Sequence, residues 1–182
     1  VQERMDHALK TNAEKAKKLG INLFAINGKD LNEELMKITN GAGADDIILA
    51  VGVQPVQQNA LGLLGKGGVA NFFGGLPKGK NMLQIDAIAI HYNEIKVAGS
   101  SGGDPYDMKS TLDAIYNKDV DPGNYVAGVG SLKHAPQVLK MIEETKVDGK
   151  VILYPGTDID DLRFVDHWDQ TKEIEFLENN LR

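Results

Sequence analysis

The sequence predicts a mixed α/β fold built on a parallel sheet. Three observations carry this. Short apolar runs alternate with helix-like stretches of about ten residues, the rhythm of strand and crossover helix. The run Asp46-Ile47-Ile48-Leu49-Ala50-Val51 is apolar throughout after its first residue, as suits a strand covered on both faces. Small residues, or Asn-Gly, follow the first four strand-like runs, where the chain must turn away from the sheet.

The elements follow in order. Residues 2–19 carry Met5, Ala8, Leu9, Ala13, Ala16 and Leu19 among charges, a helical spacing with a weak point at Thr11-Asn12, and Gly20 is a helix stop. Ile21-Asn22-Leu23-Phe24-Ala25-Ile26 reads as a strand. Leu31 to Thr39 reads as a helix with Leu31, Leu35 and Ile38 on one face, closed by Asn40-Gly41. After the 46–51 strand come a helix over 54–64, a turn at Gly65-Lys66-Gly67-Gly68, and a strand at Val69-Ala70-Asn71-Phe72-Phe73. Glu94 to Gly99 is the next strand. Asp104 caps the helix that follows it, Pro105 suits the first helical position, and Asp107 meets the positive dipole end; this helix runs to about Asn117. Tyr125 to Val129 reads as a strand, His134 to Glu144 as a helix, and Val151 to Tyr154 as the last strand. The acidic stretch 156–171 reads as a linker.

The 182 residues suit one ordinary domain with an extension. A formal net charge of -6 argues against general nucleic-acid binding, which draws on a basic face. Zero cysteine excludes disulfides, thiolate zinc sites and a cysteine nucleophile within this chain. No apolar run approaches the roughly 20 residues of a membrane helix, and no signal segment leads the sequence. A cytoplasmic protein is expected. The chain opens on Val1 directly in helix-like sequence, and Glu173 to Arg182 stops without a closing element. A segment of a longer enzyme is therefore expected.

In a parallel sheet, ligands bind outside the carboxyl ends of the strands. The residues to inspect are Asn27-Gly28, Gly52-Val53, Gly74-Gly75 and Ser100-Ser101-Gly102-Gly103. Small residues let a flat ligand lie against the backbone. The plain alternative is that glycine is common at such turns. GxGxxG is absent, and no glycine turn is followed by Lys-Ser/Thr, so neither phosphate-binding loop is present. His7, His91, His134 and His167 have no metal-ligand spacing; His91 precedes a strand, His7 and His134 read as exposed, and His167 as a packing residue. Ser100-Ser101 lacks a GxSxG elbow, so the hydroxyls bond a ligand or cap the next helix rather than attack. Arg4 is either a solvated helix charge or a contact to the adenosine end of a dinucleotide.

Lys17-Lys18-Leu19-Gly20, Asn27 and Thr39-Asn40-Gly41-Ala42-Gly43-Ala44-Asp45-Asp46 resemble the coenzyme-binding half of medium-chain, zinc-type alcohol and polyol dehydrogenases. In that family a T-x-G-x-G-x-D turn introduces the fourth strand. Gly65-Lys66-Gly67-Gly68 resembles the next turn, and Val97 to Gly103 the sixth strand and its exit. Asn71-Phe72-Phe73-Gly74-Gly75 and His91-Tyr92-Asn93 through Gly103 are most similar to the L-sorbose 1-phosphate reductase-like branch. The resemblance covers about residues 1–155.

The resemblance implies an incomplete doubly wound (Rossmann) parallel sheet lacking its first two strands. Residues 1–155 would be a partial NAD(P)-binding domain. Residues 156–182 would return to a catalytic domain outside this chain, where zinc polarises the substrate oxygen during hydride transfer to or from NAD or NADP. Family positions facing the dinucleotide map onto Val51, Gly52, Val53, Phe73, Gly74, Ser100 and Ser101, and the adenosine-side basic residue approximately onto Arg4. No catalytic or metal-binding residue is expected within this chain. The implied reaction is oxidation or reduction of a sugar phosphate or polyol, the chain alone being inactive and stable only with the rest of its parent. A homodimer through the strand near Val126-Gly130 is also implied. Gly74→Val or Ser101→Trp is expected to block the coenzyme with folding largely intact. Two other readings stay open: a non-catalytic α/β nucleotide-binding or interaction module, and a flavodoxin-like signalling domain, which the glycine-rich exits suit poorly.

Overall fold

The structure, a computed structural model, describes residues 2–181. It divides into two compact units, Val1–Gly103 and Asp104–Arg182. The first holds α1 (Gln2–Leu19), α2 (Leu31–Ile38), β1 (Ala44–Leu49), α3 (Gln54–Ala60), β2 (Leu64–Phe72), α4 (Ala87–Tyr92) and β3 (Lys96–Gly99). Its sheet has the order β1-β2-β3, and both pairings are parallel. Leu61, Leu64, Ala70 and Ile95 form its buried core, with Ile47, Phe72 and Ile90 packed against them.

Helix α1 runs unbroken through Thr11-Asn12, and Asn12 Nδ2 donates to the Ala8 carbonyl of the same helix at 2.9 Å. The T-x-G-x-G turn has a physical basis in two contacts. The Thr39 hydroxyl donates to the Leu35 carbonyl at 2.8 Å and accepts from the Gly43 N–H at 3.1 Å, tying the end of α2 to the start of β1. Gly43 sits at φ +81, and a Cβ there would lie 2.6 Å from the Gly65 nitrogen. Only glycine lets the two chains approach so closely. The expected turn at 65–68 lies inside β2, as a bulge: the register passes from Ala44 opposite Leu64 to Asp46 opposite Val69.

One expected element is missing. Residues 21–26 form no strand. A ladder needs a neighbour, and no described strand lies beside this run; Ile21, Leu23 and Phe24 are exposed. Conversely, α4 was not anticipated, and it places His91 in its last turn.

The second unit holds α5 (Pro105–Tyr116), β4 (Val126–Ser131), α6 (Ala135–Glu143), β5 (Lys150–Tyr154), β6 (Arg163–Phe164) and α7 (Gln170–Asn180). Helix α5 starts as the sequence dictates: the Asp104 carboxylate accepts from the N–H groups of Tyr106 and Asp107, and the Asp107 carboxylate returns a bond to the Asp104 N–H. The sheet order is β5-β4-β6, with β5 parallel and β6 antiparallel to β4.

Strand β4 is central: β5 pairs along one side of it, and the two-residue β6 pairs with Gly128 and Val129 on the other. Two expectations are corrected here. The stretch after Tyr154 is not a bare linker: Ile159 and Phe176 are buried with Val129, and Thr157 bridges to Leu181. Its apolar contacts come singly, at Ile159, Trp168 and Phe176, so no periodicity reveals them. His134 is buried rather than exposed. Its Nδ1 accepts from the Ser131 N–H at 3.1 Å, leaving Nε2 to donate to the Asp160 carbonyl at 3.1 Å.

At the edge of this core the Tyr154 hydroxyl donates to Glu173 Oε1 at 2.6 Å and accepts from the Trp168 indole N–H at 2.9 Å. Burial first, and the Glu173 carboxylate second, push the phenol from 10.0 up to about 12. The unfolded chain ionises at the lower value, so this contribution to stability is complete below about pH 10 and lost as the pH rises to about 12. Tyr154→Phe is expected to flatten the fall in Tm across that window; an unchanged alkaline slope would contradict the assignment. Among the described residues, no helix is long and apolar enough to cross a membrane.

Candidate functional site

Parallel pairing brings three of the strand exits together. Leu49 lies opposite Phe72, and Phe72 opposite Gly99, so the residues after β1, β2 and β3 leave the sheet along one edge. The exits are bonded to each other. The Gly74 N–H donates to the Leu49 carbonyl at 2.6 Å, and the Ser100 N–H to the Phe72 carbonyl at 3.3 Å. The Ser100 hydroxyl donates to Asn71 Oδ1 at 2.9 Å.

Gln57 holds the first two exits in place. Val53 ends the β1 exit in extended conformation and begins α3. One helical turn later Gln57 shares the buried face of α3 with Ala60, a spacing that puts both on one side. Gln57 is 2% exposed, and its Nε2 donates to the Val51 carbonyl at 2.7 Å and the Gly74 carbonyl at 2.5 Å. Neither Gln57 nor Asn71 stands among the expected site residues. The available signal for Gln57 was its place three residues before Ala60 and four before Leu61, on one helical face.

The expected residues divide by role. Val51, Val53 and Phe73 are 39%, 45% and 52% exposed and give this edge an apolar rim. Gly52 and Gly74 serve the chain itself: a Cβ on Gly52 would strike the Gly75 carbonyl oxygen, and one on Gly74 would lie 2.6 Å from Val51 backbone atoms. Gly74→Val is therefore not the clean blocking change expected, because it forces the exits apart. Ser100 is committed to Asn71, whereas Ser101 is exposed beside it. Arg4 lies on α1, and the bonds joining the exits do not involve it.

The Asn27-Gly28 exit belongs to no strand, yet Gly28 reaches the same region. An open cleft of about 690 Å³ is lined by Gly28, Leu31, Ile47, Leu49, Val51 and Val56, among others. Among the described residues, no group of three or more His, Asp or Glu side chains is placed to hold a metal ion. Zinc does not fit within this part of the chain.

Comparison with known proteins agrees with this architecture. The mannitol-1-phosphate 5-dehydrogenase of Aliivibrio fischeri is 28% identical over 148 residues, 79% of this chain and 34% of that protein. The L-sorbose 1-phosphate reductase of Klebsiella pneumoniae is 28% identical over 130 residues, 68% of this chain and 30% of that protein. The chain thus spans about a third of the length of these relatives. The crystal structure of an alcohol dehydrogenase from the archaeon Aeropyrum pernix superposes with a TM-score of 0.64 at 22% identity, over 80% of this chain and 40% of that one, which shows the shared fold. The model of the zinc-binding dehydrogenase family matches residues 7–117, more than half of the chain, and the chain is a member of that family.

Proposed function

We propose that this chain is the coenzyme-binding part of a longer zinc-dependent oxidoreductase that moves a hydride between NAD(H) or NADP(H) and a sugar phosphate or polyol. The observation supporting it most is the bonded edge of three exits with its apolar rim. Val51, Val53 and Phe73 offer apolar area to a flat ring system, and the backbone at Gly52 and Gly74 lets an extended ligand approach. Ser100 and Ser101 supply hydroxyls beside it, and Arg4 is assigned to the adenosine end. The bound coenzyme supplies the hydride chemistry. The fragment's own residues bind and orient; no proton or metal step is assigned to them.

The division into 1–155 and a return segment 156–182 belongs to the same proposal, as do a cytoplasmic location and inactivity of the chain in isolation. So does a homodimer through the strand near Val126-Gly130.

Fluorescence titration of the full-length, zinc-loaded protein with NADH and NADPH tests the assignment. One of the two is expected to bind, and Ser101→Trp to weaken it at least about tenfold with Tm unchanged. Binding of neither would overturn the function. Unchanged affinity in Ser101→Trp would displace the site from this edge.

A further inference from the structure

We propose that Lys78 and Lys80 bind the phosphate of a phosphorylated polyol or sugar, making the loop after β2 a determinant of substrate specificity. This rests on the dehydrogenase function proposed above. The loop starts at Gly74-Gly75, inside the bonded exits. Its far limb is fastened to α3: Gln54 Nε2 donates to the Met82 carbonyl at 2.5 Å, and the Gln84 N–H to Gln58 Oε1 at 3.0 Å. Both limbs are thus held near the exit edge.

The tip is a formed turn. The Lys80 N–H donates to the Pro77 carbonyl at 3.0 Å, the Gly79 N–H donates to Asn81 Oδ1 at 3.0 Å, and Gly79 takes φ +86. Lys78 is three residues beyond Gly75, so its Cα lies within roughly 10 Å of that glycine. Both lysines are exposed, and among the described residues neither joins an ion pair. In a chain of net charge -6, two unpaired ammonium groups on one turn make a local positive spot. A phosphate monoester carries about -1.5 to -2 charge near neutral pH and takes lysine as a point-charge partner. Two of the relatives are named for phosphorylated substrates, mannitol 1-phosphate and L-sorbose 1-phosphate.

The test uses the full-length, zinc-loaded protein and its Lys78→Gln/Lys80→Gln variant. Initial rates are measured with mannitol 1-phosphate and sorbose 1-phosphate, each against its unphosphorylated counterpart. The variant is expected to raise KM for a phosphorylated substrate about tenfold or more, to leave coenzyme affinity within about twofold, and to be rescued by arginine at both positions. An unchanged KM overturns the proposal. An equal loss of coenzyme affinity also overturns it, assigning the lysines to coenzyme phosphates. A wild-type protein that prefers the free polyol overturns the lysine assignment and leaves the dehydrogenase intact. One that binds no coenzyme overturns both.

Discussion

Gln57→Leu is expected to lower the stability of the first unit by about 2–4 kcal/mol and to weaken coenzyme binding at least about tenfold. The side chain is replaced by one of similar size, so packing alone predicts little change. The loss comes from two backbone carbonyls, Val51 and Gly74, that Gln57 Nε2 now satisfies. An acceptor that loses its donor where water does not replace it costs about 1–3 kcal/mol. Those carbonyls belong to the two exits that form the proposed coenzyme edge, so their release loosens the residues meant to meet the ligand.

Gln57→Glu sharpens the experiment. It keeps the shape but sets a carboxylate oxygen where the amide nitrogen donates. Ionised, it repels both carbonyls; protonated, it donates to one of them. The Glu variant should therefore regain part of its Tm as the pH falls, whereas the Leu variant should not. Amide hydrogen exchange at residues 51–53 and 74–75 reports the same event locally. Wild-type Tm, exchange and coenzyme affinity in Gln57→Leu would show that the clamp has no energetic role.

What the sequence disclosed, and what it hid, follows from how local each cause is. Asp104, Pro105 and Asp107 act within one helical turn of each other, so the start of α5 could be read directly. The exits after β1, β2 and β3 were legible because a parallel sheet aligns strand ends by construction. Residues 21–26 show the limit: their apolar character is local, but strand formation depends on a partner. Gln57 was hidden for the opposite reason. A glutamine in a short helix reads as solvated, and only the meeting of Val51 with Gly74, residues far apart in the chain, makes it buried and bonded. His134 is similar, its Nε2 finding a partner only in the Asp160 carbonyl of the tail.

The second large effect concerns glycine at the same edge. Gly74→Ala is expected to cost several kcal/mol, and Gly74→Val to yield little folded protein, while Gly75→Ala changes stability by less than about 1 kcal/mol. The two positions are adjacent but differ in what surrounds them. A Cβ on Gly74 would lie 2.6 Å from the Val51 nitrogen and carbonyl carbon and 2.7 Å from its oxygen. All three are backbone atoms, so no rotamer change relieves the contact. The exits must separate, which breaks the bond from the Gly74 N–H to the Leu49 carbonyl and stretches both bonds from Gln57. A Cβ on Gly75 meets nothing within 4 Å. If ligand approach alone required glycine here, both alanine variants would fold normally and lose coenzyme. If chain-to-chain approach requires it at Gly74, only that variant unfolds early. Thermal unfolding of the two alanine variants in the full-length protein separates these cases, and equal Tm values would refute the interlock of β1 and β2 exits.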